Sequence, residues 1–566
     1  MGLGVDNLSN GNEAMASPLS PMPFPEIVIG LVGPVGIDLN PIVSSLERQL
    51  EAVQYNAKTI RLSEKIEEFF GQSHSDMPEH ERIGKLMDLG TKLREESERG
   101  DAVALLGVAE IARIRRWELK GRTDSNAYIL RSLKHPHEIQ TLRSIYGKGF
   151  FQISVYSPRD ARVSAMAERV TRSTHGHTAY AREKAEHIVE RDEQEENKDL
   201  GQDVKDAFPL ADLFIDGRDK KAFETEIRRF IELVFGNLFY TPTKDEHGMY
   251  HARSAALRSA DLGRQVGAAI STSSGEILAL GCNDVPKAGG DLYWPDDQSD
   301  ARDFRRGFDP IVDERKQILS ELLARFRKAN LLADEYSEEK SIGPLVQALT
   351  SGEKRKTLKG ARVFNLLEFG RSVHAEMAAI TSAARLGVPI KSATLFTTTF
   401  PCHMCARHIV SSGLSRVVYV EPYPKSRALH LHGDSIQVDA QKPASGPVTF
   451  EPFVGVAPRQ YQDLFDAQDL RKDDQGEIAS WRRTNKTRPK PRFLRFLNTY
   501  IDIEQAILAQ EVPLLATKLK ISLPNRNLEG TENEKSRITS RTSKGRAKNN
   551  IKVANRKAGV RASARH

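Results

Sequence analysis

The sequence predicts an α/β protein of two or more domains, and three observations predict it. The chain has 566 residues, more than one hydrophobic core normally organises. The segment EIVIGLVGPVGIDLNPIVSSLERQLEAV reads as a buried strand, a Gly-rich turn and an amphipathic helix. Beyond residue 245, short apolar runs again alternate with helical patterns. Apolar residues make up 39% and charged residues 28%, close to globular averages, so most of the chain is expected to fold.

The first unit is expected over residues 26–240, behind a Ser-, Pro-, Gly- and Asn-rich leader at 1–25. Strand, Gly-rich turn and helix in that order are how nucleotide-binding α/β domains begin. The apolar segments AVALLGVAEIARI, NAYILRSL and GFFQISVYS follow, separated by charged helical stretches, which predicts a parallel sheet with crossover helices. AREKAEHIVERDEQEENKDLGQD is a charged helix, expected to be a solvated arm or lid. Set against the P-loop pattern G-x-x-x-x-G-K-[ST], Gly33 fits and Gly36 lies within the turn. Asp38 replaces the second Gly, Leu39 the Lys and Asn40 the Ser or Thr. An Asp in an anion cradle repels phosphate, and without the Lys phosphoryl transfer is not expected. A fold remnant used for regulation or assembly is the expectation; a nucleotide held at Gly33, Gly36 and Asp38 is the alternative.

The second unit is expected over 245–470, with a polar, helical insertion at 295–365. QVGAAIST and EILALGCN, joined by Ser273-Ser274-Gly275, read as a hairpin. Then come helix HAEMAAITSAARLG, strand ATLFTTTF, helix CHMCARHIVSSG and strand RVVYVEPY, with Gly387 and Gly413 at helix ends. PVTFEPFVGVAPRQYQDLF reads as a further strand and a closing helix. A basic linker with a helical segment (471–522) and a basic, disordered tail (523–566) complete the layout.

Three cysteines, Cys282, Cys402 and Cys405, provide no disulfide framework. No run of about 18 apolar residues exists to span a bilayer, and the N-terminal stretch lacks a signal peptide's basic start and apolar run. A cytoplasmic protein without a membrane partner is expected. The net charge is +7, and from Lys535 onward there are eleven Lys or Arg and no acidic residue.

The chemistry lies in SVHAEMAAI followed by PCHMC. A catalytic zinc takes three protein ligands and leaves one position open. His374, Cys402 and Cys405 supply three, and a helix N-terminus helps keep the thiols ionised. Glu376, two residues past His374, can stand beside the metal as a proton shuttle without binding it. H-x-E…P-C-x-x-C is the signature of zinc deaminases acting on cytosine or adenine. A C-x-x-C alone could be a structural half-site or a redox pair, but no second Cys pair completes a four-thiolate site. His403 and His408 are expected to pack near the ligands, and Cys282 to be a small buried residue.

RSADLGRQVGAAISTSSGEILALGCNDVPKAGG, with HAEMAAI and PCHMCARHIVSSGLSRVVYVEPY, resembles the deoxycytidylate deaminase family. The resemblance implies that Asn283, in Gly281-Cys282-Asn283, contacts the deoxyribose or base. Arg264, Lys287 and Tyr423 are further substrate-binding candidates, since the phosphates need cationic and hydrogen-bonding groups. From about 26 to 470 the layout resembles the bacterial anti-phage dCTP deaminases. The fold this implies is a P-loop kinase-like parallel-sheet domain followed by a cytidine-deaminase-like α/β/α domain. The activity it implies is conversion of free dCTP or dCMP to the deoxyuridine nucleotide. A small regulatory RNA and a homo-oligomer are implied in the same way. The basic cluster Arg482, Arg483, Lys486, Arg488, Lys490, Arg492 and Arg495 could instead hold RNA or DNA, which keeps open a deaminase acting on bases within nucleic acid.

Overall fold

The computed structural model describes residues 22–518, apart from 23, 175–177, 196–197, 337, 359–360, 366–368, 424–425, 440–445, 468–470, 473–474, 479–487 and 494–498. The leader and the basic tail, with Arg482, Arg483, Lys486 and Arg495, lie outside the described residues. Among the described residues the strands form two six-stranded sheets.

The first sheet is built from β1 (Ile27–Val32), β2 (Asn56–Arg61), β3 (Asn126–Arg131), β4 (Phe150–Tyr156) and β5 (Leu213–Asp216), all parallel, in the order β5-β4-β1-β3-β2. β1 is buried along its whole length, as a central parallel strand covered by helices on both faces must be. The apolar run AVALLGVAEIARI is not a strand: it forms the helix Ala102–Arg113. Ala104, Leu105, Val108 and Ile111 of this helix are wholly buried, and a helix apolar on most sides cannot be told from a buried strand by hydropathy. The charged segment forms the helix Thr178–Glu193, paired with Arg159–Thr174. It is more than a solvated arm, because Ala181, Ala185 and Val189 pack with Val163, Met166 and Val170 in a core of their own.

The second sheet has the order β10-β11-β9-β8-β6-β7. β6 (Gly267–Ser271) and β7 (Ile277–Cys282) form the expected antiparallel hairpin, and β6 pairs antiparallel with β8 (Thr394–Thr399). β8, β9 (Arg416–Glu421), β11 (Val448–Pro452) and β10 (Ile436–Val438) run parallel. Helix Ala375–Leu386 lies across β7 at close range: a Cβ on Gly281 would stand 2.3 Å from the Ala375 carbonyl oxygen and 2.4 Å from Ala379 N. Only glycine permits that approach. Gly387 caps this helix in the left-handed conformation (φ 68°).

The two units are stitched together. β12 (Gly455–Val456), within the segment read as the end of the second unit, pairs antiparallel with β5 on the edge of the first sheet. Arg218 and Tyr156 of the first unit both bond to Asp439 of the second. The C-terminal helix Thr499–Lys518 docks back on the first unit, where buried Glu504 accepts from Arg115 (2.6 Å) and Tyr146 (2.8 Å). Arg488 stacks over Phe24 and Tyr55 and donates to Ser125, and Arg492 donates to the backbone of Leu464 and Asp466. These two members of the basic cluster are spent on packing. No helix among the described residues is long and apolar enough to cross a membrane.

Candidate metal centre and active site

Two helices begin at one point. His374 is the N-cap of Ala375–Leu386, and Cys402 is the N-cap of His403–Ser411, its Sγ accepting from Cys405 N at 3.5 Å. An N-cap residue is extended while its helix is not, so its side chain projects past the helix end. Both positive helix ends therefore face the thiols, which favours thiolate. Pro401 ends the loop from β8 just ahead of Cys402, where a missing N–H costs nothing.

His374 Nδ1 lies 3.3 Å from both Cys402 Sγ and Cys405 Sγ. Among the described residues these three form the group whose donor atoms could hold one metal ion, all within 4.8 Å of one another. Tetrahedral zinc with ordinary Zn–N and Zn–S lengths requires N···S edges of about 3.5 Å, so the donor set fits zinc. The hydrogen bond from Cys405, and then that with His374, holds the Cys402 thiol below its usual range, while Cys402 and burial push Cys405 up. One thiolate is already favoured by the protein alone.

Glu376, in the first turn of the same helix as His374, is 4% exposed, and its Oε2 accepts from Cys405 Sγ at 3.4 Å. Burial, then the charge of Cys402, raises its carboxyl above the ordinary range. A buried carboxyl raised above its ordinary range, beside a metal donor set, is equipped to carry protons.

A cavity of about 450 Å³ opens at these residues, lined by His374, Glu376 and Cys402 and by three of the substrate-binding candidates, Asn283, Arg264 and Tyr423. Both ends of the Asn283 amide are engaged: Oδ1 accepts from Val266 N (2.7 Å) and Nδ2 donates to Arg264 O (2.8 Å). Asn283 thus fixes the chain entering β6 and forms wall. Arg264 pairs with Glu421 at 2.9 Å at the exposed rim. Tyr423 is half-buried, its hydroxyl made less acidic by burial and then by Cys402. Lys287 is not among the lining residues: it pairs with Asp297 at 2.7 Å and borders a separate cavity with Arg258 and Arg385. The chain folds back on itself there through the Asp284–Val373 and Pro286–Leu292 bridges, carrying Lys287 away. Cys282 is buried against Leu292 and Ala378, outside the metal group, its thiol pushed up to about 11 by burial. His403 and His408 are likewise not part of that group.

The insertion supplies a wall that motif reading missed. Asp303, Asp309 and Ile311 line the cavity beside Arg371. Arg371 bonds to Asp303 and to the Ala301 carbonyl, and buried Arg302 ties Asp300 (2.8 Å) to Asp284 (3.7 Å) at the end of the hairpin. Position was the only available signal for Arg371, three residues before His374 in Arg-Ser-Val-His.

At the other sheet, Gly33 and Gly36 line a second cavity of about 280 Å³ at the end of β1. Asp38 does not line it; its Oδ1 accepts from Asn40 N (2.9 Å) at the start of helix Asn40–Ala52. The carboxylate that does occupy the turn is Asp192, whose Oδ2 accepts from Val35 N at 2.7 Å.

Residues 242–421 match the family model of the cytidine and deoxycytidylate deaminase zinc-binding region. Over 55 residues, 10% of this chain, the sequence is 46% identical to the deoxycytidylate deaminase of Enterobacteria phage T2, covering 29% of that protein. It is 26% identical over 176 residues to a probable deoxycytidylate deaminase of Drosophila melanogaster, covering 31% of this chain and 58% of the relative. The chain thus spans less than a third of the length of the phage protein and under two thirds of the fly protein. Among solved structures, the dCMP deaminase of cyanophage S-TIM5 in its apo form aligns over 38% of this chain and 100% of its own, at 17% identity and a TM-score of 0.20. Residues 242–421 are thus similar to the zinc-binding region of cytidine and deoxycytidylate deaminases, and within them His374, Cys402 and Cys405 are the residues able to hold a metal.

Proposed function

We propose that this protein hydrolytically deaminates free deoxycytidine nucleotides, taking dCTP, dCMP or both to the deoxyuridine nucleotide with release of ammonia. The observation that carries the proposal is the buried Glu376 carboxyl beside the His374, Cys402 and Cys405 donor set, at the base of a nucleotide-sized cavity. Zinc held there supplies a Lewis acid that brings the pKa of water to about 7. Glu376 takes a proton from the water attacking C4 of the base and delivers it to N3. It then carries a second proton to the departing amine, so water is consumed and ammonia leaves. Burial, which raises the Glu376 carboxyl, suits it to accept a proton in one transfer and give it up in the next. We assign the sugar and phosphate groups to Arg264, Arg371 and Tyr423, which line that cavity, with residues of the insertion forming one wall.

Support for a free nucleotide comes from the Gly281-Cys282-Asn283 hairpin and from relatives named as deoxycytidylate deaminases. Depletion of the deoxycytidine nucleotide pool in defence against phage is the role we attach to this activity, with restraint by a small RNA and a homo-oligomeric assembly as its accompaniments. The zinc-loaded protein should be given dCMP, dCTP, CMP, CTP and single-stranded oligonucleotides, with uracil formation followed. Turnover of dCMP or dCTP is expected. Turnover confined to oligonucleotides would replace this reading with a deaminase acting on bases within nucleic acid, and no turnover of any substrate would end both.

A further inference from the structure

The cavity at the C-terminal edge of the first sheet is not absorbed by deamination. It lies where β1 sits between β3 and β4, the switch point at which open α/β sheets bind ligands. Its lining is cationic, with six Arg or Lys side chains against three carboxylates.

Two of those charges cancel in the turn itself. Lys134 Nζ donates to Asp192 Oδ1 and to the Gly33 carbonyl, both at 2.8 Å, while Asp192 Oδ2 takes the Val35 N–H. Asp192 is fully buried and stands where a phosphate would stand in a working P-loop. An incoming anion is repelled from the turn.

The remaining cations converge beside it from four elements. Arg61 and Arg131 close β2 and β3, Arg82 comes from helix Glu79–Ser97, and Arg169 from the paired-helix arm. Three of them have carboxylate partners, one of which, Glu64, also lines the cavity. Arg61 meets exposed Glu64 at 3.2 Å, Arg82 meets Glu67 at 3.8 Å, and Arg169 meets Glu79 at 3.5 Å. Arg131 bonds to the neutral Oδ1 of Asn40 at 2.5 Å. Burial, and then the like charge of Arg61, already disfavours the charge on Arg131, so the cluster is held together against its own repulsion. Deeper in the lining, Arg94 is 1% exposed and its Nη2 has no hydrogen-bond partner among the described residues. Buried guanidinium donors are seldom left unmade without a reason.

We propose that this cavity binds a phosphate chain, recognised by Arg61, Arg82, Arg131 and Arg169 beside the glycine turn instead of within it. Guanidinium groups suit phosphate oxygens through paired, charge-assisted hydrogen bonds. Because Arg169 rides on the paired helices and the other three arginines on the sheet and the helix Glu79–Ser97, the anion would draw the arm onto the sheet. The inference is independent of the deaminase reading, since no residue of the zinc site takes part.

The test uses the full-length, zinc-loaded protein and isothermal titration with inorganic triphosphate and with ATP, neither of which carries a cytosine. Both probes are expected to bind. Arg131→Gln and Arg169→Gln should each weaken binding by about tenfold or more, whereas Arg48→Gln, exposed on helix Asn40–Ala52 and outside the lining of both cavities, should leave it unchanged. ATP binding without triphosphate binding, if lost in the same two variants, also supports the site and adds a nucleoside contact. Unchanged melting temperatures in the two variants separate lost binding from lost folding; a variant that melts lower is replaced by Arg61→Gln. No binding of either probe, or binding indifferent to these arginines, overturns the proposal.

Discussion

The two sheets of this protein each place a helix N-terminus at the end of a central strand, and they use it in opposite ways. In the second sheet the polar ends of two helices are left facing His374, Cys402 and Cys405, with Glu376 beside them and a cavity in front. In the first, the glycine turn ahead of helix Asn40–Ala52 is met by the protein's own carboxylate, Asp192, which Lys134 neutralises. Convergent donors left facing a cavity mark chemistry; a turn N–H answered by the protein's own buried carboxylate marks structure.

Substitutions can break or sharpen that contrast, and the largest effects belong to the second sheet. Cys402→Ala should lose both bound zinc and turnover, whereas Glu376→Gln should keep stoichiometric zinc by metal analysis and lose about 10²–10⁴-fold in kcat. A Glu376 variant with an unaltered rate would remove the proton shuttle from the account. Next comes Gly281→Ala, whose new Cβ would collide with the backbone of the helix that carries Glu376. Displacement of a catalytic group by about 1 Å costs about 10²-fold, so kcat should fall while the first sheet's stability is untouched.

In the first sheet the readout is stability. Asp192→Ala leaves Lys134 and the Val35 N–H without their buried partner and should cost about 2–4 kcal/mol in denaturant unfolding, with deamination at 25 °C retained. A loss of turnover with unchanged stability would reverse the contrast. The smallest effect concerns His135, which burial, then Arg94 and His137, hold down to about 4. As pH falls below about 6.5 the unfolded chain takes up a proton that the folded chain refuses. Stability is therefore complete above that pH and lost as it falls toward 4, by about 2–3 kcal/mol. His135→Asn keeps an N-cap acceptor for His137 N and should flatten this part of the melting-temperature profile; an unchanged slope would exclude His135 as its source.

The metal donors were legible because their spacing is local. His374 and Glu376 share one helix start, and Cys402 and Cys405 share the next, so the sequence alone reaches the geometry. Lys287 borders a cavity apart from the metal donors because a bridge between Asp284 and Val373 redirects the chain, and such a bridge has no trace in nearby residues. Asp192 lies 157 residues from the backbone N–H it satisfies, so the carboxylate in the glycine turn was attributed to its neighbour Asp38. β2, NAKTIR, carries little apolar signal because it is an edge strand with a half-exposed face. Ala102–Arg113 erred the other way, since near-complete burial erases helical periodicity.

The β12–β5 pairing sets an order on the protein's synthesis. Phe214 leaves the ribosome about 240 residues before its partner Gly455. At about 5–20 residues per second, the open edge of the first sheet waits roughly 10–50 s for its last strand. Throughout that interval the nascent chain exposes unpaired strand backbone that neighbouring copies on the same message could capture. A product terminated early inherits that edge permanently, so cutting the gene between the two units does not yield two self-sufficient proteins.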